Sequence, residues 1–475
     1  RGIHSILIDK IDLCAGASGG NHGLLHSGAR YVSTDLEAAI ECRQENELLK
    51  RLAPHCIEAT GGLFVAVEGD DPAFADEFPE LCRRAGIRCD ELTVAEARKL
   101  EPHLSDRLVR ACRVPDATVD PFHLALANVD HARLTNGSLY RSHTELLRFE
   151  IVDGEIRSAV CRDHRTLAPL TIRARQVVNA GGAWAMNIAR LAGCADVDLL
   201  YAKGTLLVNH DRMTRHVVNR LRPPGDGDIL VPGGTVSILG TTSTRIQDLD
   251  HVAPTVDEID RNIREGAAMI PALAGARYTR AFSRVRPLLQ GTGNASDRAA
   301  SRGFALLDHR SQGLANFCTI TGGKLTTFRL MAEKTVDLAT QHLGARKPCV
   351  TATTPVPGAE QGHYWLGHRL FEIEEHNQQG QLICECELVT RSMLENAVRQ
   401  NPTITLDDLR RDVRLGMGPC QGGFCTFRAV AVLHELGARQ PASTTGSPDA
   451  NSAWDVAYMQ SPAHNIQPAA LPQSP

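Results

Sequence analysis

Residues 177–184 read VVNAGGAW, and residues 320–329 read ITGGKLTTFR. In each stretch an apolar strand pattern leads into a pair of glycines and then into a helical pattern. Glycines at the carboxyl end of a strand let another group approach the backbone, and the N-terminus of the following helix favours an anion. The same glycines occur in ordinary strand–turn–helix connections, so either stretch alone is a weak indication. Both are typical of α/β folds that bind ligands at the edge of a parallel sheet.

A buried parallel strand is also predicted at the start of the chain. Residues 3–9 (IHSILID) are apolar and end at Asp9. In a dinucleotide-binding βαβ unit, the second strand ends in an acid that binds the ribose hydroxyls. The first strand and the G-x-G-x-x-G loop that precede it in such units are missing, which predicts an N-terminally truncated domain. The alternative interpretation is that Asp9 only ends a strand at the surface.

The remaining pattern mixes helices with strands. Helices are predicted over 34–54, 92–100, 121–133, 256–270 and 324–343, and strands over 61–67, 138–149, 155–161, 171–178, 199–208, 229–231, 236–242 and 317–321. A Thr93/Glu96 capping box and the pair Asp120–Pro121 mark two of the helix starts. Parallel-type strands, helices and hairpins together predict an α/β (α+β mixed) fold with an inserted antiparallel sheet.

The C-terminal part of the chain differs in composition from the rest. Residues 350–358 (VTATTPVPG) are typical of a linker. Residues 382–439 are predicted to form a separate small unit with short helices around 390–399 and 405–412. Residues 440–475 are rich in Pro, Ala, Ser, Gln and Asn and are predicted to be disordered.

Composition excludes several classes of protein. The 475 residues are 43% apolar and 22% charged, which excludes disorder of the whole chain. The net charge of −4 provides no bulk positive field for a nucleic acid. No apolar run approaches the roughly 20 residues of a membrane span, and no signal peptide is recognisable. The 14 cysteines of so long a chain indicate a reducing cytosol rather than a disulfide scaffold.

Residues 14–31 read CAGASGGNHGLLHSGARY, a segment rich in glycine, serine and histidine. Such backbone can lie against a planar ligand. His22, His26 and Arg30 follow one another at four-residue spacing, which predicts a polar row. Histidine titrates near neutral pH and can accept a proton from an alcohol. The alternative is that these histidines cap or line a helix.

Cationic residues elsewhere are candidates for binding a phosphate or a carboxylate. Lys324 stands at a helix N-terminus, where a cation is unfavourable unless an anion lies nearby. Arg286 (in RVRP) and Arg302 (in SRG) could bind such an anion through two hydrogen bonds each. The alternatives are a lysine that extends into solvent and arginines that pair with acidic residues.

Two close pairs of cysteines lie in the small C-terminal unit. They are the CEC of 384–386 and the CQGGFC of 420–425, and glycines surround the second pair. Closely spaced thiolates in glycine-rich loops are typical of iron–sulfur or other metal sites. Structural zinc prefers C-x-x-C in both halves, so it fits less well. A disulfide does not suit a cytosolic protein, and chance clustering is the remaining alternative.

Taken together, these segments resemble the FAD-dependent glycerol-3-phosphate dehydrogenase family. The segments SGGNHGLLHSGARY, VPDATVDPFHL, VVNAGGAW, AKGTLLV, DILVPGG, VRPL, SRGFALLDH and TGGKLTTFRLMAE occur in the family's order and at its spacing. Within the family, the chain is most similar to the large catalytic subunit of the bacterial anaerobic enzyme, because residues 382–430 resemble the [2Fe-2S]-type domain of bacterioferritin-associated ferredoxin. The resemblance covers about residues 1–345 and 382–430.

This resemblance implies a domain organisation. A Rossmann-like FAD-binding domain that lacks its first strand would comprise about 1–55, 115–195 and 300–345. An antiparallel-sheet substrate domain would comprise about 56–114 and 196–299. A linker, 346–381, would lead to a helical [2Fe-2S]-binding domain at 382–439, followed by the tail 440–475.

The resemblance also implies the residues of the sites. FAD would be bound by Asp9, Ala17, Ser18, Asn21, His22, Gly181, Gly182, Trp184, Gly322, Gly323, Leu325 and Thr326. The substrate would be bound by Arg30, Tyr31, Arg286, Arg302 and Lys324. The cluster ligands would be Cys384, Cys386, Cys420 and Cys425, although the C-x4-C spacing is wider than the C-x-x-C of the small ferredoxin.

The implied reaction oxidises sn-glycerol 3-phosphate to dihydroxyacetone phosphate by hydride transfer to flavin N5. His26 is the predicted base, with Arg286 and Lys324 assisting. Some relatives carry a histidine in a K-G-S-H-like stretch, but the corresponding residues here are 203–206 (KGTL), so Leu206 stands where that histidine would be.

The resemblance further implies partner subunits that carry electrons through iron–sulfur centres to quinone. The expected location is the cytoplasm, at the inner face of the inner membrane, with the membrane reached only through partners. Two alternatives remain open. One is a flavin oxidoreductase of a 2-hydroxy or amino acid. The other is a non-enzymatic electron-transfer or iron-sensing module.

Overall fold

The computed structural model describes residues 1–194, 199–289, 303–344, 347–364, 366–377 and 381–438. All of them fall in the unit Arg1–Arg439. Arg302 and the tail 440–475 lie outside the described residues. The predictions made for them therefore stay predictions.

Several helices begin where the sequence supplies a capping side chain. Asp35, Thr93, Asp120, Thr255 and Thr405 each accept hydrogen bonds from the first turn of a helix. The α-helices of the described residues are α1 (Leu36–Leu52), α2 (Pro72–Arg84), α3 (Val94–Leu100), α4 (Pro121–Asn136), α5 (Ala185–Leu191), α6 (Val256–Met269), α7 (Phe328–Leu343), α8 (Leu366–Glu375), α9 (Arg391–Gln400), α10 (Leu406–Val413) and α11 (Cys425–Glu435).

The strands are mostly short and apolar. They are β1 (Ile6–Ile8), β2 (Leu24–Leu25), β3 (Ile57–Glu58), β4 (Gly62–Val67), β5 (Asp90–Leu92), β6 (Leu108–Val114), β7 (Ala117–Val119), β8 (Leu139–Arg141), β9 (Thr144–Val152), β10 (Glu155–Asp163), β11 (Pro169–Ile172), β12 (Val177–Asn179), β13 (Leu199–Asn209), β14 (Val217–Arg220), β15 (Ile229–Gly233), β16 (Val236–Gly240), β17 (Thr244–Arg245), β18 (Tyr278–Leu289), β19 (Phe304–Asp308), β20 (Phe317–Gly322), β21 (Leu382–Cys384) and β22 (Val389–Thr390).

One large sheet dominates the middle of the chain. Its strand order is β17-β13-β16-β15-β14-β4-β6-β5, with β18 also paired to β13. All its pairs are antiparallel except β4 with β14. Helix α6 covers it, and Leu207, Leu230, Leu239 and Met269 are fully buried in the shared core. The strands all come from 62–114 and 199–289, inside the predicted substrate domain, whose exact boundaries stay a prediction.

Parallel strands form the edges that carry the glycine pairs. β12 lies parallel to β20 in the register Val177↔Phe317, and β19 completes that sheet. β1 lies parallel to β8. The predicted mixed α/β fold with an inserted antiparallel sheet is therefore confirmed.

Three strand predictions were wrong in detail. The segment 138–149 breaks into β8 and β9, which belong to different sheets, because His143 adopts a positive φ of 51° that extended chain does not allow. The segment 171–178 likewise divides between β11 and β12. β1 is parallel as predicted but not buried: among the described strands it pairs with β8 alone, and Ile6 is 42% exposed.

The C-terminal residues fold around their own core. Helices α9, α10 and α11 and the hairpin β21–β22 bury Leu394, Leu409 and Ala429. We call residues 381–438 the cysteine domain and the preceding residues up to 344 the oxidoreductase part. The sequence did not predict α11, nor α8 inside the expected linker 346–381. That linker packs on the oxidoreductase part, where the Tyr364 N–H donates to the carbonyls of Pro54 and Ile57.

Candidate active site and cysteine centre

Residues 14–23, the glycine segment, form an irregular loop rather than a helix. Asn21 closes it: its Nδ2 donates to the carbonyls of Ser18 (2.7 Å) and Ala17 (3.3 Å). Its Oδ1 accepts from the Gly23 N–H at 2.8 Å. Ala17 and Ser18 remain exposed. The loop thus presents backbone and small side chains, as the resemblance implies for a flavin-binding segment.

Arg284 fills the space beside this segment, although it was not among the predicted site residues. Its Nε donates to the Ala15 carbonyl at 3.2 Å, and a Cβ on Gly20 would lie 2.6 Å from the Arg284 Cβ. Burial lowers the pKa of Arg284. The RVRP motif contained a signal for this residue, because alternation along β18 directs Arg284 and Arg286 to the same face.

Replacing Gly20 by alanine is expected to destabilise the protein by about 1–3 kcal/mol, because the new methyl group collides with the base of the Arg284 side chain. Flavin content after purification should also fall. Urea unfolding and flavin absorbance would measure the two effects. The matched control is Gly275→Ala, where a Cβ meets nothing within 4 Å. Equal stability of the two variants would contradict the assigned packing.

The first glycine pair follows β12. Asn179 secures it: its Nδ2 donates to the Ala185 carbonyl at 2.8 Å and its Oδ1 accepts from the Gly181 N–H at 3.1 Å. Gly182 has a φ of +58°, with open space where a Cβ would stand. Trp184 is 37% exposed, and its ring lies 3.9 Å from the position of a Cβ on Gly16. The glycine segment and this turn are therefore neighbours, although they are distant in sequence.

The second glycine pair lies at the end of β20, whose last residue is Gly322. Gly322 and Gly323 have φ values of +83° and +71°, and the Gly323 N–H donates to the Gly303 carbonyl at 2.8 Å. A side chain on Gly323 would collide with Met331 of α7. Leu325 and Thr326 follow in a single 3₁₀ turn, in which Thr326 is buried. The predicted long helix thus begins at Phe328, after this turn.

His26, Tyr31, Lys324 and Thr326 meet in what we call the His26 cluster. The backbone N–H of His26 donates to Thr326 Oγ1 at 3.2 Å. The His26 Nε2 and the Tyr31 hydroxyl are 3.2 Å apart, and their rings are 5.1 Å apart. The Lys324 ammonium lies 5.0 Å from the centre of the Tyr31 ring. The fold therefore joins a base candidate to a cation across about 300 residues of sequence.

Glu41 also lies close to Lys324, although it was not among the predicted site residues. It lies on α1, where burial raises its pKa and the charge of Lys324 lowers it. The predicted anion near Lys324 can thus be supplied in part by the protein itself. No motif marked Glu41, since its role depends on α1 packing against the turn at Leu325.

The remaining cations have different partners. Arg30 Nη2 lies 3.3 Å from Asp228 Oδ2, and both side chains are at least nine-tenths buried. Arg286 Nη2 donates to the Thr242 carbonyl at 2.7 Å and lies 3.3 Å from the Cβ position of Gly204. Their roles toward a substrate stay predictions.

The predicted polar row of residues 22, 26 and 30 was wrong. The chain there forms β2 and then a 3₁₀ turn at Ala29–Tyr31, so four-residue spacing does not align the side chains. His22 is half-buried. Asp9 follows β1, and its Oδ1 accepts from the Ile11 N–H at 3.0 Å. Burial raises the Asp9 pKa. Neither observation tests their predicted contacts with FAD.

The four predicted cluster ligands lie together in the cysteine domain. The thiols of Cys384 and Cys425 are hydrogen-bonded, as are those of Cys386 and Cys420, and the members of the two pairs also interact electrostatically. The hydrogen bond from Cys425 lowers the pKa of Cys384. Within the described ranges, no group of three or more His, Cys, Asp or Glu side chains is placed so that it could hold a metal ion as the side chains stand.

The residues present fit both groups. The glycine backbone at Gly16, beside the partly exposed Trp184 ring, suits a planar aromatic cofactor. Four neighbouring thiols suit a [2Fe-2S] cluster, and the backbone N–H groups of Gly416 and Glu387 already hydrogen-bond the Cys384 sulfur. Hydrogen bonds of this kind stabilise thiolates, the form that ligates iron.

Asp412, near the end of α10, is a largely buried carboxylate whose burial is only partly compensated. Burial raises its pKa to about 6, although Arg411 lowers it. The folded protein therefore binds this proton more tightly than the unfolded chain does, and stability is lost as pH rises from about 4 to 6. Asp412→Asn should stabilise the protein by about 1 kcal/mol above pH 6 after discounting for solvent, with no gain below pH 4.

Urea unfolding at both pH values would test this prediction, with Asp250→Asn, an exposed carboxylate, as control. A gain for Asp412→Asn that is the same at both pH values would contradict it.

Comparison with known proteins agrees with the geometry. Residues 1–338 match the family model of FAD dependent oxidoreductases, and residues 382–435 match that of the BFD-like [2Fe-2S] binding domain. A subunit of the anaerobic glycerol-3-phosphate dehydrogenase of Escherichia coli strain K12 is 41% identical over 92% of this chain and 84% of that protein. Its counterpart in Haloferax volcanii, with the same enzyme name, is 37% identical over 90% of this chain and 78% of that protein.

Among solved structures, the glycerol-3-phosphate dehydrogenase from Bacillus halodurans complexed with FAD matches with a TM-score of 0.58 and 21% identity, over 92% of this chain and 77% of that one. The fold and the two family matches define an FAD-dependent oxidoreductase with an additional [2Fe-2S]-binding domain. More narrowly, the chain belongs to the same family as these subunits of the anaerobic glycerol-3-phosphate dehydrogenases. The predicted family and the predicted cofactors are confirmed.

Proposed function

We propose that this chain oxidises sn-glycerol 3-phosphate at C2 to dihydroxyacetone phosphate and passes the electrons through iron–sulfur centres to quinone. The observation that carries the proposal is the His26 cluster, where a base candidate and a cation meet beside the glycine turn after β20. The names of the relatives support the choice of substrate.

When bound, FAD supplies a two-electron hydride acceptor and the [2Fe-2S] cluster a one-electron carrier. The chain's own residues do the rest. Lys324 binds the phosphate or a substrate hydroxyl, and its position over the Tyr31 ring holds the ammonium in place. Arg286 and Arg302 are further proposed ligands of the phosphate.

His26 takes the proton of the C2 hydroxyl. The Tyr31 hydroxyl lies 3.2 Å from His26 Nε2 and orients the ring. The Thr326 hydroxyl accepts from the backbone N–H of His26 and holds its main chain in position. A neutral imidazole accepts such a proton near neutral pH. Position 206 supplies no base, because Leu206 is a hydrocarbon that is 3% exposed.

Partner subunits are part of the proposal, because the relatives are named as subunits of a larger enzyme. We place the chain in the cytoplasm, at the inner face of the membrane, where such partners would deliver electrons to quinone. In the described part of the chain, no helix is both long enough and apolar enough to cross a bilayer.

The test is an anaerobic spectrum of the purified protein, with FAD and cluster loaded, before and after substrate is added. Glycerol 3-phosphate should bleach the flavin, whereas glycerol, 2-hydroxyglutarate and amino acids should not. Bleaching by a 2-hydroxy or amino acid alone would support the alternative oxidoreductase. Cluster absorbance without any substrate-dependent bleaching would support an electron-transfer module instead.

A further inference from the structure

Two arginines at the end of α10 connect the cysteine domain to the oxidoreductase part. Arg414 Nη1 forms an ion pair with Asp120, and its Nε lies 2.7 Å from Glu387 Oε2. The three side chains are 11%, 7% and 0% exposed, respectively. One buried guanidinium thus joins an acid of each part.

Arg411, three residues earlier, makes a second connection. Its Nη1 lies 2.8 Å from Asp12 Oδ2, and Asp12 Oδ1 accepts from the Tyr140 hydroxyl at 2.9 Å. Between the two ion pairs, the His123 Nε2 lies 3.2 Å from the Asp412 carbonyl oxygen. The contact is therefore held at several points, which restricts rotation as well as separation.

On the oxidoreductase side, these acids belong to the framework of the glycine segment. Asp120 caps α4 through the N–H groups of Phe122 and His123. The start of α4 packs against the segment: the Cys14 thiol is 3.6 Å from the Pro121 carbonyl oxygen, and a Cβ on Gly19 would lie 2.8 Å from the Phe122 ring. Asp12 itself lies two residues before the segment.

On the side of the cysteine domain, Arg414 is connected to Cys384, a predicted cluster ligand. The N–H of Glu387 and the N–H of Gly416, two residues after Arg414, both hydrogen-bond the Cys384 sulfur. Arg369 of α8 donates to the Glu387 carbonyl at 2.8 Å. A continuous set of contacts thus runs from the glycine segment through Asp120, Arg414 and Glu387 to Cys384.

We propose that Arg414 and Arg411 are positioning residues that hold the cysteine domain against the glycine segment and thereby set the separation of the flavin and the cluster. This inference rests on the proposed function. Electron transfer slows steeply with distance, so a domain released from this contact loses transfer rate while the substrate reaction continues. Removing one partner of a buried ion pair leaves the other charge buried without a counter-charge. The contact is therefore sensitive to single substitutions.

The test compares three variants of the full chain, loaded with FAD and cluster. Arg414→Gln removes both ion pairs of this residue. Asp120→Asn keeps the α4 cap, since asparagine caps as well as aspartate, but removes the charge that faces Arg414. The matched control is Arg428→Gln, whose exposed ion pair with Glu385 lies within the cysteine domain beside the same cysteines.

Two measurements are made without oxygen. Rapid mixing with glycerol 3-phosphate follows flavin bleaching and cluster reduction separately. Hydrogen exchange follows the backbone at 120–123 and at the turn 233–235, where Thr235 Oγ1 lies 3.4 Å from Glu387 Oε1. In Arg414→Gln and Asp120→Asn, cluster reduction should slow by about tenfold or more, with flavin bleaching unchanged and faster exchange at both segments. Arg428→Gln should behave as the wild type does.

Wild-type cluster reduction and wild-type exchange in both interface variants would overturn the inference. If glycerol 3-phosphate fails to bleach the flavin of the wild type, the proposed function fails instead. The inference is then decided by hydrogen exchange and by cluster reduction after chemical reduction of the flavin. The electron paramagnetic resonance spectrum of the reduced cluster shows whether each variant has assembled it.

Discussion

Replacement of His26 by glutamine is expected to lower kcat by about 10²–10⁴-fold while KM for glycerol 3-phosphate changes little. Glutamine preserves the size and polarity of the side chain but cannot accept the hydroxyl proton. Lys324, 5.0 Å from the Tyr31 ring and the proposed ligand of the phosphate, is unchanged in this variant.

Steady-state assays with an artificial electron acceptor would measure this effect. Tyr31→Phe tests the arrangement around the base, because it keeps the ring beneath Lys324 and removes only the hydroxyl 3.2 Å from His26 Nε2. It should have a smaller effect than His26→Gln. The control is His251→Gln, an exposed histidine paired with Asp248. Full kcat in His26→Gln would exclude His26 as the base.

Replacement of Cys384 by serine is expected to abolish assembly of the [2Fe-2S] cluster while leaving bleaching of the flavin by substrate intact. Iron is held by thiolates, and Cys384 is a predicted ligand whose pKa is lowered by its hydrogen bonds. Electron delivery to a one-electron acceptor of the cluster should fall to background. Iron content and the paramagnetic resonance spectrum of the reduced protein measure the loss.

Cys349→Ser is the matched control, because Cys349 is half-exposed, its sulfur lies 3.1 Å from Thr351 Oγ1, and it is outside the cysteine domain. That variant should retain cluster and activity. A cluster that survives in Cys384→Ser with an unchanged spectrum would show that other residues hold it.

Local sequence signals predicted many of the elements correctly. The capping box of Thr93 and Glu96 begins α3, and the pair Asp120–Pro121 begins α4. The strands 61–67 and 236–242 and the helix 256–270 also occur within a few residues of their predicted bounds. Capping and apolar periodicity act over a few residues, so the chain expresses them wherever the segment lies.

Features that depend on contacts between residues far apart in the sequence were not predicted. Helix α11 begins at Cys425, after the glycine-rich loop, and no capping side chain marks its start in the sequence. The four-residue spacing of residues 22, 26 and 30 predicted a polar row, but β2 pairs with β7 and takes the segment into a strand. Tertiary pairing overrides local spacing because it satisfies the backbone with hydrogen bonds from elsewhere in the chain.

The residue types alone predicted the chemistry of the site. The signals were glycine pairs after strands, histidine near glycines, and four cysteines in two close pairs. Those patterns are local and directly reflect what a flavin and a cluster require of the backbone and of the ligands.

The tertiary structure alone determines which cation stands beside which base. The meeting of His26 with Thr326, the ion pair of Arg30 with Asp228, and the contact of Arg414 with Asp120 each join residues about 200 to 300 positions apart. Such pairs depend on how sheets and helices pack, and no short stretch of sequence contains that information.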